Sequence, residues 1–77
     1  MLKVEVGQVL EFFNPVTVDG HVIAKGTRVR VGFILPEFFE SKVDIVIIGV
    51  MPSKTLQVPK SLLALNCVPV EPSGGKS

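Results

Sequence analysis

Apolar and polar residues alternate in short runs along most of this chain, and Gly, Pro, Asn and Asp mark the breaks between runs. Leu2, Val4 and Val6 fall on one side of an extended segment and Lys3 and Glu5 on the other. This period of two predicts a lead-in or added edge strand over the first residues. Gln8 to Phe13 is a second such run, with Val9 on the face opposite Leu10 and Phe12. Asn14-Pro15 closes it, because proline lacks a ladder donor and fixes its own φ. Residues 14–26 contain Asp19-Gly20, a dipeptide suited to the positive φ of tight turns, and predict a long hairpin loop with β character at each end. Thr27 to Leu35 alternates again, with Val29, Val31 and Phe33 on one face and Arg28, Arg30, Gly32 and Ile34 on the other. Pro36 stops this run, and PEFFESK follows as a loop with Phe38 and Phe39 between Glu37 and Glu40.

The centre of the pattern is Lys42 to Val50. Val43, Ile45 and Ile47 alternate with Asp44, Val46, Ile48 and Val50, so beyond Asp44 both faces are apolar. β-Branched residues on both sides mark a strand covered on both faces. One cover is the domain's own interior; the other has to come from outside. Met51 to Lys54 reads as a turn and Thr55 to Val58 as a short return strand. Pro59 to Leu63 fits a single 3₁₀ turn and Asn66 to Val70 a closing strand. Residues 71–77, EPSGGKS, have nothing to bury and are expected to form a disordered tail after a single domain over 1–70.

The segment Val58-Pro59-Lys60-Ser61-Leu62-Leu63 resembles the end of the fourth strand and the helical turn of SH3-like small barrels, and the spacing is similar over residues 8–70. That resemblance implies an all-β fold, a five-stranded SH3-like barrel with one 3₁₀ turn before the last strand. Its strands would lie near 8–13, 27–35, 42–50, 55–58 and 66–70. The expected core is Val9, Val29, Val31, Phe33, Ile45, Ile47, Leu56, Val58, Leu62 and Val68. Peptide-binding SH3 domains use a groove of tyrosines and a tryptophan, and this chain has neither residue. Leu56-Gln57-Val58-Pro59 is similar to the pore strand of type II dihydrofolate reductases, which implies an oligomeric pore with Gln57 near its axis. Pro59 stands where those enzymes carry a tyrosine. Gly26-Thr27-Arg28-Val29-Arg30-Val31 looks like the second strand of small barrel subunits that dock on redox or photosynthetic complexes.

Composition sharpens the need for outside cover. A 77-residue chain hides only about 60–65% of its unfolded surface, yet 47% of its residues are hydrophobic and 19% charged. Mean hydropathy is +0.51. More Val, Ile and Leu are present than a small interior holds, which predicts a surface covered by another chain. The single cysteine, Cys67, excludes an intrachain disulfide. With His21 as the only histidine, no Cys/His zinc cluster can form within one chain. No cofactor is expected. A net charge of +1 makes no case for a large basic footprint on nucleic acid. The longest wholly apolar runs, Ile45–Ile48 and the equally long Leu62–Leu65, are far short of the roughly 18–20 residues of a membrane helix. A free thiol and an N-terminus, MLKVEVGQ, without a secretory-signal pattern predict a cytoplasmic protein.

Candidate chemistry is sparse. His21 follows the Asp19-Gly20 turn and reads as an exposed turn residue rather than an acid, base or ligand. Cys67 has apolar flanks and reads as a buried structural thiol. Glu37 and Glu40 read as solvated loop charges. Phe38 and Phe39 are expected to divide, one filling the barrel end and the other reaching out. Arg28, Arg30 and Lys42 form a candidate stripe for anions or nucleic acid, although Glu37, Glu40 and Asp44 offer simpler cross-strand partners. The interface residues expected are Ile34, Phe38, Phe39, Val46, Ile48 and Val50. The function expected is a non-enzymatic protein-interaction or accessory module, a homo-oligomer or small subunit of a larger complex. The alternatives are a nucleic-acid-binding, Sm-like barrel and the pore enzyme.

Overall fold

In a computed structural model describing residues 3–70, the chain runs β1 (Val9–Phe12), β2 (Val16–Val18), β3 (His21–Ile23), β4 (Arg28–Leu35), β5 (Lys42–Ile47), β6 (Lys54–Pro59), α1 (Lys60–Asn66) and β7 (Cys67–Pro69). Five strands form one antiparallel sheet in the order β6-β5-β4-β1-β7. The last strand therefore returns beside the first. Strands β6 and β7 are the two edges, joined by α1 rather than by a ladder, so the sheet is open and not a closed barrel. The predicted loop over 14–26 holds a separate hairpin, β2–β3, whose turn residues Asp19 and Gly20 both have positive φ, 48° and 79°. That pair of angles matches the right-handed twist of the two strands it joins.

The predicted alternation of β4 breaks in its middle. Val31 pairs with Ile45, but Phe33 pairs with Asp44, which leaves Gly32 as one extra residue in a β-bulge. The bulge reverses the phase of everything after it. Ile34, placed by simple alternation on the outer face, pairs with fully buried Val43 and packs against the core. Phe33, expected inside, points outward and is 55% exposed. A Cβ at Gly32 would make only ordinary contacts, 3.6 Å from the Asp44 carbonyl oxygen and 3.8 Å from Val46 Cγ2. The extra residue, and not the absence of a side chain, makes the bulge.

The core is Leu10, Phe12, Val29, Val31, Val43, Ile45, Val58 and Leu63, all fully buried, with Val4, Val18, Ile23, Leu56 and Cys67 around them. Val9 and Val68 are not in it, contrary to expectation. Glu11 shares a face with Val9, and hydrating its carboxylate turns that face outward and drives Leu10 and Phe12 in. Cys67 then pairs with Phe12 on the inside and Val68 with Glu11 on the outside. Ile47 and Leu62 pack at the margin of the core rather than within it.

A seven-residue α-helix replaces the expected 3₁₀ turn. Lys60, Leu62, Leu63, Ala64 and Leu65 are good helix formers, and Leu63 is its buried anchor. Two free N–H groups of its first turn find partners in the loop before β5: Lys60 N–H donates to the Ser41 carbonyl at 2.9 Å, and Ser61 N–H to Glu40 Oε2 at 2.7 Å. At the other end Asn66 Nδ2 donates to the Leu62 carbonyl at 2.9 Å. The expected N-terminal edge strand does not form among residues 3–8. Gly7 N–H donates instead to the Val31 carbonyl, and Val31 N–H to the Gln8 carbonyl, which ties the segment to the bulge. Leu2 and the tail 71–77 lie outside the described residues.

Candidate interaction surfaces

The outer face of the sheet is built in rows set by the ladder register. One row runs Val68, Glu11, Arg28, with the Ile48 N–H donating to the Arg28 carbonyl at its end. The next runs Val9, Arg30, Val46, Thr55. A third runs Phe33, Asp44, Gln57, and beyond it Leu35 pairs with Lys42. Phe33, Val68 and Ile48 are about half-exposed, and Val9 and Val46 less so. The polar groups between them are partly satisfied within the chain. Arg28 Nε donates to Glu11 Oε1 at 3.0 Å and Gln57 Nε2 to Asp44 Oδ1 at 3.2 Å. Arg30 forms no ion pair among the described residues.

These rows break up the candidate basic stripe. Arg28 and Arg30 do share the outer face, but the partner of Arg28 is Glu11 on β1, not Glu37, Glu40 or Asp44. Asp44 lies between Arg30 and Lys42 along the face. Gln57 sits on edge strand β6, committed to Asp44.

Phe38 and Phe39 form a second surface. Both rings are outside, 93% and 94% exposed, and meet edge to face with centroids 4.8 Å apart; neither fills the end of the fold. The downstream side of their loop is held by the contacts of Glu40 and Ser41 with the start of α1. Glu40 is thus a helix cap rather than a merely solvated charge. Hydrogen bonds from the Ser61 side chain and backbone hold its carboxyl below the usual value of 4.5. The two rings, Glu37, Glu40 and Lys42 border an open hollow of about 370 Å³.

Ile48 and Val50, each a little over 40% exposed, lie in the loop at the other end of β5, with Met51 more exposed still. At about 3.3 Å per residue, the six residues of β5 separate the two loops by roughly 20 Å. The expected interface residues therefore fall in four places: Ile34 against the core, Phe38 and Phe39 at one end, Val46 mid-face, and Ile48 and Val50 at the other end. Phe33 and Val68 join the outer face: Gly32, a lone glycine within a strand pattern, is the signal that could have placed Phe33, and Val68 comes with its partner Glu11.

The chemistry the described residues bring together is limited. Cys67 is 3% exposed, and burial pushes its thiol up to about 12. It borders an open groove of about 590 Å³ with Lys3, Glu5, Phe13, Ala64 and Pro69. His21 lies in the hairpin, exposed, its Nδ1 2.9 Å from Lys54 Nζ. Among the described residues no three His, Cys, Asp or Glu side chains are placed to hold a metal ion, and no helix is long and apolar enough to cross a membrane. Compared with known protein families, with curated proteins and with solved structures, the chain matches none of them.

Proposed function

We propose that this chain is a non-enzymatic interaction module on an SH3-like fold, working as a homo-oligomer or as a small subunit of a larger complex. The sheet order, with a helix between β6 and a last strand that returns beside the first, supports the fold reading. The observation that carries the function is the pair Phe38 and Phe39, both exposed on an anchored loop. Covering one such side chain is worth about 1.5–3 kcal/mol, and a loop already tied to α1 loses less freedom when it docks.

Light scattering and pull-down on the wild type and on Phe38→Ser/Phe39→Ser test this. The wild type should exceed its 8.3 kDa chain mass at micromolar concentration or retain a partner, and the double substitution should weaken one of these. A single chain that captures nothing overturns the proposal.

One observation favours a second reading. Phe33 is wetted on a strand face one row from Arg30, which forms no ion pair among the described residues, the kind of neighbourhood on which single-stranded nucleic acid stacks. With Arg28 committed to Glu11, this reading predicts weak binding that falls steeply with salt.

A further inference from the structure

We infer that the outer face of the five-stranded sheet is a twofold interface with a second copy of this chain, in which Arg30 meets the partner's Asp44. This rests on the interaction-module reading and names the occupant of one of its surfaces. Phe33 and Val68, with Val9 and Val46 less exposed and Ile48 at the margin, share this face with the charged Glu11, Arg28, Arg30, Asp44 and Lys42. Its charges decide what covers it. Glu11 and Arg28 satisfy each other. Arg30 has no counter-charge among the described residues, so an uncharged partner would strip its water and return nothing.

A second copy carries the missing group. Asp44 lies on the neighbouring strand, one row from Arg30, and among the described residues its carboxylate accepts a side-chain hydrogen bond from the neutral Gln57 amide alone, leaving acceptor capacity free. A twofold axis lying between two stacked faces and passing midway between these residues carries each onto the other. Both contacts then form at once, as an isologous interface requires. The five strands differ in length, from three residues in β7 to eight in β4; at about 3.3 Å per residue and 4.8 Å between strands they offer roughly 400 Å² in projection. Counted over both copies that is about 800 Å², the size of a weak, reversible contact rather than of a stable dimer, so the mass should rise with concentration through the micromolar range.

The experiment measures mass in solution for the wild type, for Arg30→Glu, for Asp44→Lys and for an equimolar mixture of the two variants, with circular dichroism to verify folding. The wild type should reach twice 8.3 kDa at micromolar concentration. Each variant alone should stay single, because like charges face each other at both contacts. The mixture should recover the dimer, because opposite charges then face each other at both. Phe33→Ser, a change at a wetted position, should also dissociate the wild type. Should the charge variants not fold, loss or persistence of the dimer in Phe33→Ser decides the matter. A single wild-type chain, unaltered association of the variants, or a mixture that stays dissociated overturns the interface. If association persists in the charge variants but disappears in Phe38→Ser/Phe39→Ser, this interface falls while the module reading stands. If the wild type is single and captures nothing, both fall.

Discussion

The Cys67 thiol should react with a disulfide reagent at least about thirtyfold more slowly in the folded chain than in urea. The residue is 3% exposed and paired with fully buried Phe12, and burial alone raises its pKa from 9.0 to about 12. Each unit of that rise lowers the thiolate fraction tenfold, and the thiolate is the reacting species. Three units therefore lower the thiolate fraction about a thousandfold; the more basic thiolate is the better nucleophile, which returns part of this and leaves a factor of about 30–60 before any restriction on reagent access is added. Release of a coloured thiol at mildly alkaline pH, with and without urea, measures the ratio directly. A native rate within tenfold of the unfolded one would refute the burial and make a nucleophile of Cys67, beside an open groove, a serious reading again. The same shift predicts a pH effect. The folded chain keeps its thiol proton where the unfolded chain releases it, so this contribution is complete below about pH 9 and is lost as pH rises toward 12. Its upper limit is about 4 kcal/mol, from three units at 1.36 kcal/mol each. Cys67→Ala should flatten that alkaline limb.

Two further changes test the local architecture. Glu40→Gln should lower the melting temperature at neutral pH, because it removes the charge that accepts the Ser61 N–H. The native value of Glu40 lies below 4.5, so its contribution is present above that pH and lost as pH falls through the folded value; the variant and wild-type curves should converge in acid. In urea denaturation, Phe33→Ala should change stability by less than about 0.5 kcal/mol as a monomer. Ile34→Ala, which removes a group packed on the core, should cost about 1–3 kcal/mol. The opposite ranking would mean that the strand has no bulge at Gly32.

The amino-acid order alone determined what depends on neighbours in the chain. Period-two alternation placed β1, β4 and β5, because side chains on a strand alternate faces whatever the strand packs against. Asp19-Gly20 marked a turn because the positive φ it tolerates is a property of those two residues. Cys67 was legible as a structural thiol from its apolar flanks. Tertiary structure decided what depends on residues far apart. The bulge at Gly32 arises where β4 must match β5, and it exchanged Phe33 and Ile34 between the faces; the lone glycine hinted at an irregularity, but only the pairing with β5 fixed the change of phase. Glu40 became a cap for a helix that begins twenty residues later, and with the helix extended to seven residues Leu63 took the anchoring place given to Leu62. The Phe pair could be recognised as unusual from its adjacency, but whether either ring had an interior to enter depended on the open ends of the sheet. Only the folded ladder could show that Arg28 is spent on Glu11 while Arg30 meets no counter-charge among the described residues, because a charge is satisfied by distance in space and not by position along the chain.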